Sequence, residues 1–378
     1  MLRISFPAKL KHSQPLPTQV EVDSSPLPWR GLFATAWIAG LLCLLALQFV
    51  PDALFSRADA GFWHSLTDTK KDDQAHVMAK ARSGEAATAD VLILGTSAAR
   101  EALWMDSELS AELGRKDSPN INIINLASSA QSPIESLLIM NAIRLRPGRL
   151  IILFASPTTL QQAQPFHAIE QGGFLKSPED LIRQYSQREI FPSYWLKTSN
   201  RVLYQIRLTR QTLHRLLNYR LKYWIQAEVY GAPQQNYSPY LYVGQTSQTR
   251  DSRLAQLKEF EGRFKSTERN LPYVKNTLKV IAEYLTSRGC RVVIARPPDL
   301  NDEFRQSFPN EFKKFETLIH ELEKSHRFEQ LNLNDKIVWE TRDFVDLTHV
   351  TESGRAKWSD ALVTWLARRP KQSNRGAN

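Results

Sequence analysis

The chain has 378 residues, 42% of them apolar and 23% charged, so it can bury a sizeable core and is not a wholly disordered chain. Its two cysteines cannot make a disulfide framework or a four-ligand zinc site. Lysine and arginine number 49 against 39 aspartates and glutamates, and this net charge of +10 points to an anionic partner: nucleic acid, a membrane surface or an acidic polymer.

The first element in chain order fixes the compartment. Residues 31–50 read GLFATAWIAGLLCLLALQFV, without a charge. As a helix they span about 30 Å, the thickness of a bilayer's hydrocarbon core. Trp29 and Trp37 suit an interfacial anchor, and Pro51 ends the run. A cleaved signal peptide is the alternative, but the leading segment 1–30 is long for its charged region. In that segment Arg3, Lys9, Lys11 and Arg30 outnumber Glu21 and Asp23, which keeps it cytoplasmic by the positive-inside bias. The expectation is a single-pass protein of a bacterial inner membrane with its main domain in the periplasm, where DNA is not a partner. Cys43 falls inside the span, which leaves Cys290 without an obvious mate.

Residues 51–89 are polar and mixed in charge and read as a stalk. From residue 90 short apolar runs alternate with helical patterns. Strands are expected at 91–94, 121–126 and 150–154, with helices at 98–113 and 134–146. The alternation resumes with a helix ending near Ser287, a strand at 292–294, a helix within 312–324 and a last helix after Thr351. Continuous apolar strands between helices imply a parallel sheet covered on both faces, a three-layer α/β domain whose ligand site lies at the carboxyl ends of the strands. Its two parts are 90–160 and 270–370, followed by a tail at 371–378. No internal repeat is present, which argues against a solenoid or propeller.

Residues 161–269 interrupt the alternation as a helical insertion. Between Leu181 and Ile225, nine basic residues, Arg201, Arg207, Arg210 and Arg215 among them, face only Glu189. With Leu203, Ile206, Leu213 and Leu217 at helical spacing, this reads as a basic amphipathic helix. It is either a solvated face or a docking surface for anionic lipid, an acidic glycan or a membrane partner. The stretch from Gly231 to Gly244, with its NYSPYLY run, reads as irregular.

Two motifs carry chemistry. The first strand runs into Gly95-Thr96-Ser97 and then a helix, which sets a serine hydroxyl at the carboxyl edge of the sheet. The turn is neither a dinucleotide-binding glycine pattern nor a phosphate-binding loop, and Ala99 stands where a Gly-x-Ser-x-Gly elbow has its last glycine. By itself such a serine is more often a helix N-cap than a nucleophile. Near the other end lies Asp346-Leu347-Thr348-His349. An aspartate three residues before a histidine can hold Nδ1–H and leave Nε2 as a base. Asp343 is a second carboxylate nearby. The histidines form no His-Glu-x-x-His pattern, so no metal is implied, and nothing calls for a nucleotide or flavin cofactor.

Taken together, Ser97 after the first strand and Asp346-x-x-His349 before the last helix resemble the SGNH (GDSL-type) hydrolase superfamily. The layout is similar to that of membrane-anchored SGNH-like proteins of cell-envelope acylation. The resemblance implies an acyl-serine mechanism with Ser97, Asp346 and His349 as catalytic residues. It also implies an oxyanion hole drawn from Ser97, Ala130 and Ser156. In the family's second block the sequence has Asn125-Leu126-Ala127-Ser128-Ser129-Ala130, with Ala130 in place of a glycine but its N–H retained. In the third block Phe154-Ala155-Ser156-Pro157 lacks the family's asparagine, which Ser156 replaces in part. One lost oxyanion donor costs roughly 2.7–4 kcal/mol of transition-state stabilisation, which favours slow transfer between tethered partners over bulk hydrolysis. The implied function is a periplasm-facing acyltransferase, O-acetyl or similar, acting on an envelope polysaccharide or polymer. Its implied partner is a multispanning membrane O-acyltransferase or the polysaccharide-export machinery. The alternatives are an esterase that removes such groups and a catalytically idle glycan-binding or scaffold domain.

Overall fold

The computed structural model describes residues 84–116, 121–161, 244–299, 301–326 and 328–369, with 35–40, 42, 77, 80, 81, 240 and 242 besides. Five short strands, β1 (Val91–Leu94), β2 (Ile123–Asn125), β3 (Leu150–Phe154), β4 (Arg291–Ala295) and β5 (Glu329–Leu331), form one sheet in the order β2-β1-β3-β4-β5. Every pairing is parallel, with Ile93 beside Asn125 on one side and beside Ile152 on the other. This is a doubly wound order, and its switch point lies between β1 and β3.

Alternation along each strand divides the core into two layers. Leu92, Leu94, Ile151, Leu153, Val292 and Ile294 face helices α4 (Pro133–Asn141), α6 (Thr267–Thr286) and α8 (Pro309–His326). Val91, Ile93, Ile152, Phe154 and Val293 face α2 (Ser97–Glu101), α3 (Asp106–Arg115) and α9 (Glu352–Ala367). Both faces are covered, so β1 and β3 are buried from end to end and β4 is buried beyond its first residue, Arg291. That is why they read as unbroken apolar runs. Each fully buried Val, Leu or Ile is worth roughly 1.5–3 kcal/mol over its exposed state. The ring of Phe154 meets Trp358 of α9 at 5.1 Å between centroids, which fixes the last helix on β3. The remaining helices are α1 (Gly84–Thr88), α5 (Arg250–Phe264) and α7 (Asn301–Ser307).

The α/β class and the parallel sheet are as expected, and the details differ for physical reasons. The helix expected at 98–113 is two helices. The Glu101 carbonyl accepts Arg355 Nε–H at 2.8 Å, and the Ser359 hydroxyl donates to Ala102 O at 3.3 Å while accepting Trp104 N–H at 2.9 Å. Side chains of α9 thus satisfy the backbone groups that a continued helix would have paired. The helix expected at 134–146 spans Pro133–Asn141 and opens with a capping box: Ser132 Oγ accepts the Glu135 amide, and the Glu135 carboxylate accepts the Ser132 amide. Strand β5 was not expected, because an edge strand of Glu329, Gln330 and Leu331 shows no apolar run.

Of the expected membrane span, residues 35–40 and 42 are helical, with Trp37, Ile38 and Leu42 exposed. No helix among the described residues is long and apolar enough to cross a membrane. The tail 1–30, the rest of 31–50, most of the stalk, the basic segment 181–225 and the tail 371–378 lie outside the described residues.

Candidate active site

The site is assembled from two loops at the carboxyl edge of the sheet, beside the switch point. In the first, β1 leaves through Gly95, whose φ of +155° and crowded surroundings both demand glycine. A Cβ there would lie 2.6 Å from Phe154 Cβ, so only glycine brings this turn against β3. The loop after β2 holds the turn from the side. Gln131 Oε1 accepts the Gly95 N–H at 2.6 Å, and the Ser128 N–H donates to Gly95 O at 3.0 Å. Ser97 then opens α2, behind an N-cap threonine whose side chain makes no capping bond.

The second loop is built by its own aspartate. Asp346 Oδ1 accepts the amides of Thr348 and His349, each at 2.8 Å, which curls the backbone and leaves Oδ2 free. Oδ2 then accepts His349 Nδ1–H at 2.8 Å. The loop closes where Val345 N–H donates to His349 O at 2.8 Å and Phe344 pairs with Val350 in an antiparallel bridge. Its middle residue, Leu347, is fully buried among Phe260, Phe264, Phe304, Phe308 and Phe312. The spacing Asp-x-x-His thus lets one carboxylate cap the turn and hold the imidazole together.

The loops meet at Ser97. Its Oγ lies 2.9 Å from His349 Nε2, completing a continuous path Ser97–His349–Asp346. With Nδ1–H given to a carboxylate, Nε2 carries the lone pair and accepts the serine hydroxyl proton. Asp346 is buried and the His349 side chain 14% exposed. Burial by itself raises the Asp346 carboxyl. The His349 hydrogen bond and charge, with the two loop amides, outweigh it and hold the group below the usual carboxylate range. The aspartate thus stays ionised at neutral pH, as an orienting partner must.

The other expected donors are more varied. Ala130 takes a φ of +53°, the left-handed conformation for which the glycine of the resembled family is suited, one residue before the Gln131 that grips Gly95. Ser156 follows β3, but its amide donates to Thr159 Oγ1 at 3.0 Å and its hydroxyl pairs with Thr158 at 2.7 Å. The Ser156 amide is therefore already engaged. Asp343, three residues from Asp346, is fully buried and faces Lys357, Ser353 and the Glu340 amide instead of the imidazole.

Three participants escaped the sequence reading: Gln131, Tyr242 and Gln256. Tyr242 packs its ring on His349 at 4.8 Å between centroids, and Gln256 Oε1 accepts the Leu347 N–H at 3.0 Å. Both lie within 161–269, where the pattern offered only a basic helix and an irregular stretch. No group of histidine, cysteine and acidic side chains able to hold a metal occurs among the described residues.

Fold and site together define a doubly wound α/β domain with a Ser-His-Asp hydrogen-bonded relay at the carboxyl edge of its sheet. No family model matches the chain, and no curated protein matches it either.

Proposed function

We propose that this chain is an SGNH-type serine acyltransferase, anchored in a bacterial inner membrane and facing the periplasm. Its proposed acceptor is an envelope polysaccharide or a related polymer, and its proposed partner a multispanning O-acyltransferase that hands over the acyl group, or else the polysaccharide-export machinery. The observation that carries this reading is the relay itself, with Ser97 Oγ 2.9 Å from Nε2 and Asp346 Oδ2 2.8 Å from Nδ1. Chain order, the left-handed Ala130 and the serine at the end of β1 support the SGNH comparison.

In the first half-reaction Ser97 Oγ forms a bond to the acyl carbonyl carbon while its proton passes to Nε2. The donor's bond to that carbon breaks, and His349 returns the proton to the leaving group. In the second half an acceptor hydroxyl attacks the acyl-serine and gives its proton to Nε2. Ser97 Oγ leaves and takes that proton back. Asp346 holds the imidazole in the required tautomer and stabilises the imidazolium at both stages. The oxyanion is assigned to the amide of Ser97 and that of Ala130, with the Ser156 hydroxyl as a weaker contributor. The engaged Ser156 amide and the absent asparagine favour transfer at high effective concentration over hydrolysis in bulk water.

A fluorophosphonate tests the reading without knowledge of the substrate. It should label Ser97 alone in the full-length protein, and His349→Ala should prevent labelling. Normal acylation of the envelope in cells carrying Ser97→Ala at wild-type protein levels would refute the enzyme and leave a glycan-binding or scaffold domain.

A further inference from the structure

The hydrogen bonds at Nδ1 and Nε2 grip the edge of the His349 imidazole and limit its turning about χ2 only within their own angular tolerance. A contact on the ring face narrows that range further, and the described structure supplies one. Tyr242 packs on the imidazole with ring centroids 4.8 Å apart and an interplanar angle of 41°. The tyrosine is held by its neighbourhood. Two residues earlier, Tyr240 Oη donates to Leu103 O at 2.8 Å, and the Arg355 guanidinium lies 3.6 Å from the Tyr240 ring centroid. Beyond it, Gln248 N–H donates to Val345 O at 2.8 Å and Gln256 accepts the Leu347 amide, so the same stretch grips the Asp346–His349 loop at three points.

We propose that Tyr242 is the positioning residue of the relay: its ring fixes the imidazole plane toward Ser97 and shields the His349–Asp346 pair from water. When His349 takes the serine proton, the ring face also lies within the roughly 6 Å at which an aromatic stabilises a cation. The end of the insertion is in this way part of the catalytic arrangement. The Tyr242 hydroxyl makes no hydrogen bond among the described residues, so the ring carries the effect. Burial, and next the Asp346 charge, raise that hydroxyl's pKa above its ordinary value, so it stays protonated beside the carboxylate.

The proposal rests on the serine-nucleophile reading, and the test separates the two. Full-length wild type, Tyr242→Phe, Tyr242→Leu and Tyr242→Met are compared in two measurements. The first is the rate of Ser97 labelling by a fluorophosphonate. Tyr242→Phe should stay within about twofold of wild type and the two aliphatic variants fall about tenfold, the order that loss of an aromatic pair converts to. The second is ethoxycarbonylation of His349 by diethyl pyrocarbonate, read by peptide mass spectrometry. It should rise severalfold in the aliphatic variants and not in Tyr242→Phe, and it does not depend on Ser97 being reactive. Having two aliphatic variants guards against one failing to fold. Labelling at the wild-type rate and unchanged His349 modification in either folded aliphatic variant would overturn the positioning role and leave the relay intact. Absence of Ser97 labelling in wild type would sink the nucleophile reading, with the His349 measurement still deciding whether Tyr242 covers the imidazole.

Discussion

Asp343 and Asp346 stand three residues apart, both are buried, and both carboxyls are held below their ordinary acidity range, yet they serve different ends. Burial works against ionisation at each. At Asp343 the opposing forces are Lys357 Nζ and the Glu340 amide on Oδ2 and the Ser353 hydroxyl on Oδ1, so both oxygens tie the loop to α9. At Asp346 one oxygen is spent on the loop's own amides and the other on an imidazole that reaches a serine on a distant element. A depressed carboxyl is thus no sign of catalysis in itself. The destination of the second oxygen separates the carboxylate that ties the loop to α9 from the one that reaches Ser97 through the imidazole.

The strongest way to break this distinction is to remove the groups beyond that second oxygen. Ser97→Ala and His349→Ala should each lower acyl transfer on the order of 10⁴–10⁶-fold with melting temperature little changed, and their losses should not add. Asp346→Asn should follow at about 10⁴-fold, because an amide facing Nδ1 favours the wrong tautomer. Single-turnover acylation of purified variants measures both. Strictly additive losses would show that the three groups do not act as a unit. At Asp343 the same substitution should act on stability. An asparagine that keeps its oxygen on Lys357 and the Glu340 amide turns its NH2 to the Ser353 hydroxyl, which can accept it, so what is lost is the charge that strengthens these hydrogen bonds. The expected cost is roughly 1–3 kcal/mol in thermal or urea unfolding, at the low end because the Lys357 side chain is 34% exposed, with labelling per folded molecule preserved. A tenfold loss of labelling at unchanged stability would reverse the assignment of the two aspartates.

How much of this was legible in the sequence follows from how local each signal is. Strands β1, β3 and β4 declared themselves because both faces are buried, and β5 did not because an edge strand needs no apolar run. Ser97 and Asp346-x-x-His349 were legible because each loop carries a compact local motif: Gly95 just before the serine in one, Asp346 capping its own amides in the other. Their meeting across 252 residues was expected only through the family resemblance. Gln131, Tyr242 and Gln256 act across long separations from segments without periodicity, and neither composition nor spacing marks them. Asp346 stood apart from Asp343 by its three-residue spacing to His349, and what the sequence did not show is where Asp343 goes instead, to Lys357, Ser353 and the Glu340 amide.

The smallest effect sharpens the comparison through pH. A carboxyl whose acidity range is lowered on folding contributes stability that is present above its unfolded pKa, near 3.9, and lost as pH falls through the folded value. Asp343 and Asp346 are both lowered, so both contributions should be intact at neutral pH and disappear below about pH 4. Asp343→Asn removes one of them. The stability gap between wild type and this variant should therefore be widest near neutral pH and narrow as the solution is acidified below about pH 4, where protonation gives wild-type Asp343 a neutral side chain as well. Asp346→Asn should show the same narrowing in stability, but the transfer defect expected under the proposed function should persist at every pH at which the protein is folded, because the amide cannot orient the imidazole. Urea unfolding across that acid range measures the gap. A gap of constant size would mean that Asp343 acts through shape and neutral hydrogen bonds, and that its charge on Lys357 contributes nothing to holding the loop on α9.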